Sequence, residues 1–105
     1  MDVIKFAPDL FDLIMKGRKT RTIREGIRAY TLGDAIFETA DESEREEGFI
    51  CGLRTVKFKD LTDEDAIYSV YDTVDNLKDR LLDIYPDLKD FSDVTVVDFK
   101  LKMYM

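Results

Sequence analysis

The chain has 105 residues, of which 45% are hydrophobic, with no histidine and a single cysteine, Cys51. This length fits one domain, predicted to span residues 1–105, and the hydrophobic fraction is typical of a folded protein. The composition excludes an internal disulfide, a structural zinc site and every histidine-based catalytic device, and we expect no metal and no cofactor.

Hydropathy favours a cytoplasmic location. No apolar run approaches the roughly 20 residues that a membrane-spanning helix needs. The first residues, Met1–Lys5, lack the basic start and apolar stretch of a signal peptide. We therefore expect a cytoplasmic protein with no membrane partner, either a monomer or a weak dimer.

Charge is distributed unevenly along the chain. The net charge is −7, yet residues 16–28 carry a local net charge of +5, which leaves −12 for the rest. The basic residues of this segment are Lys16, Arg18, Lys19, Arg21, Arg24 and Arg28. The pattern indicates one anion-facing site on an acidic protein. The alternative is that these side chains pair with carboxylates across the fold.

The first half of the chain predicts three strands, with a helix after the first. Pro8 suits the first position of that helix, and Gly17 suits its C-terminal end. The predicted strands are Val3–Phe6, Thr20–Arg24 and Ala35–Thr39, the last two being separated by a loop and a Leu32–Asp34 turn.

The second half predicts a hairpin tip at Asp41–Glu47, a long strand, two helices and a final strand. The long strand, Phe49–Lys59, should contain a bulge near Gly52, and Cys51 should be a small core residue.

The helix starts of this half are indicated by capping residues. Thr62 caps the first helix, with Asp65 completing a capping box, and Asp72 or Thr73 caps the second. The second helix presents an apolar stripe, and alternation in Val94–Met105 predicts the last strand. The stripe comprises Val74, Leu77, Leu81, Leu82 and Ile84. Antiparallel strands with a few packed helices indicate an α+β domain or a small barrel.

Residues 17–24 read Gly-Arg-Lys-Thr-Arg-Thr-Ile-Arg, and with the preceding helix they resemble the opening motif of the ASCH family. Further landmarks agree along nearly the whole chain: Leu32–Asp34, Leu61–Thr62 with Ala66, Leu77 to Pro86, and Val97–Phe99. The resemblance implies a PUA-like, mostly antiparallel β-barrel of ASCH type with two or three short helices, and a cleft beside the motif.

The resemblance also implies RNA or a nucleoside or nucleotide as the ligand. The charge outside the motif disfavours a long footprint, so we expect a short or single-nucleotide ligand and no DNA. The predicted ligand-binding residues are Arg18, Lys19, Arg21, Thr22, Arg24, Tyr30 and Ser69.

Within this set, Lys19, Thr22 and Arg24 are expected in the cleft and Arg21 at its rim. Tyr30 is the first candidate for stacking on a base, before Tyr68 and Tyr71. Two alternatives remain open: Arg24 in a salt bridge with an acid such as Asp34, and the tyrosines as half-buried packing residues.

A bacterial branch of the family that resembles this chain in size hydrolyses the amide of N4-acetylcytidine. That resemblance implies Thr22 as nucleophile and Lys19 as its base or activator. Because residues 19 and 22 would lie on opposite faces of a straight strand, Lys19 would have to lie in the turn after Gly17. The branch also uses a glutamate, and the matching position here is Ser69. Asp65 or Asp72 would have to reach the cleft to replace that carboxylate.

Overall fold

Five strands and three helices make up the structure, a computed structural model that describes all 105 residues. The strands are β1 (Asp2–Phe6), β2 (Arg21–Glu25), β3 (Gly33–Thr39), β4 (Arg45–Lys57) and β5 (Asp93–Leu101). The helices are α1 (Pro8–Met15), α2 (Asp63–Tyr68) and α3 (Val74–Ile84), and short 3₁₀ turns cover Phe58–Asp60 and Lys102–Tyr104.

The strands form one sheet in the order β1-β3-β4-β5-β2, which curls into a half-barrel. β1 and β3 are parallel, and the other three neighbouring pairs are antiparallel. The predicted α+β fold with a mostly antiparallel, barrel-like sheet is therefore confirmed, with three helices. The two outer strands are β1 and β2, and Arg24 on β2 donates a hydrogen bond of 2.9 Å to the carbonyl of Lys5 on β1.

The sheet has a hydrophobic core on each face. Because successive side chains of a strand point to opposite faces, the adjacent residues Val96 and Val97 of β5 belong to different cores, and both are fully buried. Phe11 and Ile14 of α1 cover the Val97 face, whereas Leu77 and Leu81 of α3 cover the Val96 face. β5 therefore lies between two layers, which explains why Val94–Val97 are all buried.

Local sequence signals place most element boundaries. Gly17 follows α1 with φ of +74°, a conformation that glycine adopts without steric cost. Thr62 and Asp65 form the capping box of α2, and Thr73 caps α3. The register of β4 against β5 shifts between Ile50 and Gly52, so the predicted bulge is confirmed.

Other local predictions were wrong. Cys51 is the extra residue of the bulge and is exposed, because a bulged residue loses its place in the alternation. β4 begins at Arg45, since the acidic segment pairs with β3, and it ends before Phe58. Met103, predicted within the last strand, lies in a terminal 3₁₀ turn beyond Leu101 and is exposed. Leu82 and Ile84, two members of the predicted apolar stripe of α3, are exposed as well. All three helices are too short or too polar to serve as a membrane-spanning segment.

Candidate functional site

Lys19 lies in the turn between α1 and β2, as predicted. The turn is held by the backbone N–H groups of Arg18 and Lys19, which both donate to the carbonyl of Leu13 at 2.9 and 3.2 Å. The Lys19 ammonium is buried and donates to the carbonyls of Arg21 at 2.8 Å and Ser69 at 3.3 Å. Burial, with a smaller contribution from the charge of Arg24, lowers the pKa of Lys19 from 10.5 to about 7.

Thr22 and Arg24 share one face of β2. Their partners on β5 are Val97 and Thr95, so both side chains point to the face that α1 covers. Thr22 is buried. The Arg24 guanidinium lies 4.9 Å from the centre of the Phe6 ring, a cation–π distance.

Arg24 has a backbone carbonyl rather than a carboxylate as its partner. Its Nη2 donates to Lys5, and the predicted alternative, a salt bridge with Asp34, is not formed. Burial lowers the pKa of Arg24, and the neighbouring tyrosines Tyr85 and Tyr30 oppose that effect. The buried Nε has no hydrogen-bond partner, which leaves one donor free.

Ser69 ends α2 directly beside Lys19. Its Oγ is buried without a hydrogen-bond partner, and the residue is only 1% exposed. The next residue, Val70, has φ of +69°, a strained conformation for a β-branched side chain. The chain therefore turns sharply here, and the turn keeps the Ser69 carbonyl within reach of the Lys19 ammonium.

A cavity of about 140 Å³, the β2 cavity, lies beside the free edge of β2, between α1, β1 and α3. Four of its lining residues are basic: Lys5, Lys19, Arg24 and Arg80. Its polar lining is completed by Thr22, Ser69, Tyr71 and Tyr85, and no aspartate or glutamate lines it. In a chain with 23 acidic residues, the absence of a carboxylate leaves a cavity suited to an anion or an electron-rich group.

Solved structures of other proteins share this arrangement of strands and helices. An ASCH domain from Lactobacillus crispatus superposes with a TM-score of 0.78 at 11% identity, covering 95% of this chain and 78% of that one. The fold found here is the ASCH fold. A protein from Enterococcus faecalis ascribed to family DUF984 has a TM-score of 0.74 at 14% identity, covering 96% of this chain and 76% of that one. A variant of an ASCH protein from Zymomonas mobilis has a TM-score of 0.72 at 14% identity, covering 93% and 67% respectively.

No protein-family model matches the sequence, and no curated protein matches it. At identities of 11–14% the structural likeness establishes the ASCH fold alone. The chemistry of the site therefore has to be judged from the side chains of this chain.

Arg21 does not lie at the rim of the β2 cavity, so that prediction was wrong. It points to the opposite face of the ASCH sheet, where Nε donates to Asp98 at 2.6 Å and Nη1 donates to Asp65 at 2.9 Å. Although burial opposes the charge, these two carboxylates raise the pKa of Arg21. Tyr68 packs on the guanidinium at 5.0 Å. The alternative that the basic side chains pair with carboxylates across the fold is therefore correct for Arg21 and wrong for Arg24.

Among the other predicted ligand-binding residues, neither Arg18 nor Tyr30 lines the β2 cavity. Arg18 is exposed in the turn after α1. Tyr30 is half-buried against the core on the α1 side, which agrees with the packing alternative. Of the predicted set, the structure brings together Lys19, Thr22, Arg24 and Ser69.

Arg80 and Tyr85 line the β2 cavity but were not predicted for the site, and Tyr71, a weaker candidate than Tyr30, lines it too. A signal for Arg80 was present, because positions 77, 80, 81 and 84 fall on one side of a helix and an arginine there interrupts an apolar stripe. Tyr85 follows the end of α3, where helical spacing no longer predicts the direction in which a side chain points. Its contribution to the cavity depends on how α3 packs.

No carboxylate replaces the missing glutamate. Asp72 is exposed and does not line the β2 cavity. Asp65 is 1% exposed and accepts hydrogen bonds from Arg21, Arg54 and the backbone N–H of Thr62. Although burial alone would raise it, these hydrogen bonds hold the pKa of Asp65 below its ordinary value. Asp65 therefore joins α2 to the sheet and does not contact Lys19.

The largest surface depression lies elsewhere. It measures about 630 Å³ and includes both basic and acidic side chains, among them Arg45, Glu46, Glu47 and Lys102. It contains none of the residues predicted for the site. No group of three or more histidine, cysteine, aspartate or glutamate side chains is placed to hold a metal ion.

Proposed function

We propose that this domain binds RNA or a nucleotide through the β2 cavity. The observation that carries the proposal is the set of four cations around a cavity without a carboxylate. Only Lys5 among them has a carboxylate within 4.0 Å, from the partly exposed pairs with Glu38 and Glu42. Arg24 and Arg80 offer planar forks of donors that match phosphate oxygens.

The remaining lining fits a nucleotide as well. Tyr71 and Tyr85 are half-buried at the cavity, so each presents part of a ring on which a base can stack. The similarity of the fold to those of two ASCH proteins agrees with a role in this class. The acidic surface outside the Gly17–Arg24 segment limits the footprint to a short ligand.

Binding of a labelled five-nucleotide single-stranded RNA, measured by fluorescence anisotropy at 50 and 200 mM salt, tests this proposal. We expect affinity to fall with salt, because phosphate contacts release counterions with a slope of about 0.7 per contact on single strands. Arg80→Gln should weaken binding several-fold at low salt and reduce that slope, without loss of folding, since Arg80 is exposed.

Arg45→Gln is the matched control, because Arg45 is exposed and does not line the β2 cavity. It should leave affinity unchanged. The proposal is wrong if no RNA or mononucleotide binds at 50 mM salt, or if Arg45→Gln weakens binding as much as Arg80→Gln does.

A second candidate function is hydrolysis of an acylated nucleoside such as N4-acetylcytidine. The observation in its favour is a buried Lys19 with a pKa of about 7, sharing the cavity with Thr22. A lysine of that pKa is half neutral near pH 7 and able to take the proton of the Thr22 hydroxyl as it attacks the acyl carbon. The same proton would then pass to the departing cytidine amine, and water would release the acyl group from Thr22.

Release of cytidine from N4-acetylcytidine, followed by chromatography, tests this second function. If it holds, Thr22→Ala and Lys19→Ala each abolish release. Absence of release from the folded wild-type protein eliminates the hydrolase and leaves the binding proposal in place. We expect that absence, because no carboxylate lines the cavity to hold or relay the proton.

A further inference from the structure

We infer that the β2 cavity receives a terminal phosphate monoester, so that the protein recognises the phosphorylated end of a nucleotide or short RNA rather than an internal residue. This inference rests on the proposed function and specifies which part of the ligand enters the cavity. It is carried by the size of the cavity, the buried polar atoms at its base and the composition of its lining.

The cavity is small for a whole nucleotide. Its volume is about 140 Å³. Pockets that enclose an entire small-molecule ligand usually measure about 300–1,000 Å³. A phosphate group fits this space, whereas sugar and base remain at the entrance beside the half-buried rings of Tyr71 and Tyr85.

Two buried polar atoms are left without partners at the cavity. Ser69 Oγ and Arg24 Nε make no hydrogen bond, although buried polar groups nearly always make one. A phosphate monoester has three terminal oxygens that accept hydrogen bonds and a charge of about −1.5 to −2 near pH 7. It would bring acceptors to the cavity that Arg24 and Ser69 line, and it would balance the charges of Lys19 and Arg80 at the same time.

The position of the polar residues favours a chain end. Lys19, Thr22 and Ser69 are 4%, 5% and 1% exposed, so they form a base rather than an open groove. An internal phosphodiester would need the strand to enter and leave through the same narrow space. A monoester needs one path only, and it carries more charge than a diester.

The geometry also couples binding to pH. Every titratable or charged group facing Lys19 across the cavity is a cation or a tyrosine: Lys5 on β1, Arg24 on β2, Arg80 on α3, and Tyr71 and Tyr85 in the flanking loops. A bound phosphate therefore favours the protonated form of Lys19. Affinity should be greatest between about pH 6, where the second phosphate proton is lost, and pH 7, above which Lys19 loses its proton.

Four pentaribonucleotides of one sequence test the inference. Two of them differ at the 5′ end, which carries either a phosphate or a hydroxyl, and the other two differ in the same way at the 3′ end. Each is labelled at the end that is not varied. We expect one of the two phosphorylated ends to bind at least tenfold more tightly than its hydroxyl counterpart. Ser69→Ala should reduce that preference without destabilising the fold, because Ser69 Oγ has no protein partner to lose. Ser43→Ala, in the exposed hairpin tip, is the control and should keep the preference.

Competition with adenosine monophosphate and adenosine distinguishes the two sources of the phosphate. Equal competition by the mononucleotide and the phosphorylated strand identifies a free nucleotide as the ligand, and weaker competition identifies an RNA end. If binding depends on salt but the probes with and without a terminal phosphate bind with equal affinity, the inference is wrong and the proposed function remains. Absence of binding by every probe at low salt overturns both.

Discussion

Lys19 is a buried ammonium with no carboxylate to balance it, and its partners are two backbone carbonyls. In the unfolded chain a lysine keeps its proton up to about pH 10.4. In the folded protein Lys19 loses the proton above about pH 7. The unfolded state therefore binds more protons between these pH values, and the contribution of Lys19 to stability rises with pH over that range.

Lys19→Met should accordingly stabilise the protein near neutral pH, by about 1–3 kcal/mol after the loss of the two hydrogen bonds is subtracted. The gain should be constant below pH 7 and shrink steadily towards pH 10. Urea denaturation from pH 6 to 10 measures it, with Lys16→Met on the exposed end of α1 as the control. A gain that does not change with pH would contradict the buried charge.

Ser69 and Arg24 each have a buried polar atom without a hydrogen-bond partner, which points to this part of the molecule as a candidate site. A buried hydroxyl and a buried guanidinium N–H without partners cost the folded state about 1–3 kcal/mol each. Such cost at neighbouring positions, next to the strained Val70, is typical of a site that keeps its donors for a ligand.

At the scale of elements, α2 is fastened to the sheet by one carboxylate. Asp65 accepts hydrogen bonds from Arg21 on β2, from Arg54 on β4 and from Thr62 at the start of α2. The attachment matters for the site, because Ser69 caps the C-terminal end of α2 and its carbonyl accepts a hydrogen bond from Lys19. The Arg21–Asp65 network thus positions the C-terminal end of α2, where Ser69 lines the cavity.

Asp65→Asn should destabilise the protein by about 3–5 kcal/mol, the usual cost of removing one partner from a buried ion pair. Glu64→Gln is a close control: Glu64 lies 3.6 Å from the same arginine, but its side chain is 70% exposed. Its substitution should change stability by less than about 1 kcal/mol. Urea denaturation at pH 7 measures both effects. If the two variants lose similar amounts of unfolding free energy, the burial of Asp65 does not contribute to stability.

At the scale of the whole molecule, one sheet separates two cores. Val96 and Val97 are adjacent in β5 and fully buried, yet they contribute to different cores. Because both cores use the same strands, neither can lose its packing while the other remains intact. The chain should therefore unfold as one cooperative unit.

Val96→Ala and Val97→Ala test this expectation, since each removes the same atoms from a different core. Both should destabilise the protein by about 1–3 kcal/mol and keep a single transition, with far-ultraviolet and tyrosine near-ultraviolet circular dichroism coinciding. Two separated transitions in either variant would mean that the cores unfold independently.

Most of the fold could be predicted from local signals. Pro8, Gly17, Thr62 and Thr73 mark helix ends through backbone geometry and capping, which depend on nearby residues alone. Alternation in β5 and the phase shift near Gly52 are also local. They predicted the last strand and the bulge, although not the ends of β4 and β5. The Lys19 turn belongs here too, because Gly17 forces it.

The partners of the basic residues could not be predicted from the local sequence, since they depend on which strands become neighbours. Arg21 and Arg24 are three positions apart in one strand. Arg21 pairs with Asp98 on β5 and Asp65 on α2, whereas Arg24 donates a hydrogen bond to a backbone carbonyl and pairs with no carboxylate. Charge clustering in the sequence indicated an anion-facing segment. The packing of α2 and α3 on β2 determined which cations remain without a carboxylate, because burial and pairing are properties of contacts between residues distant in the chain.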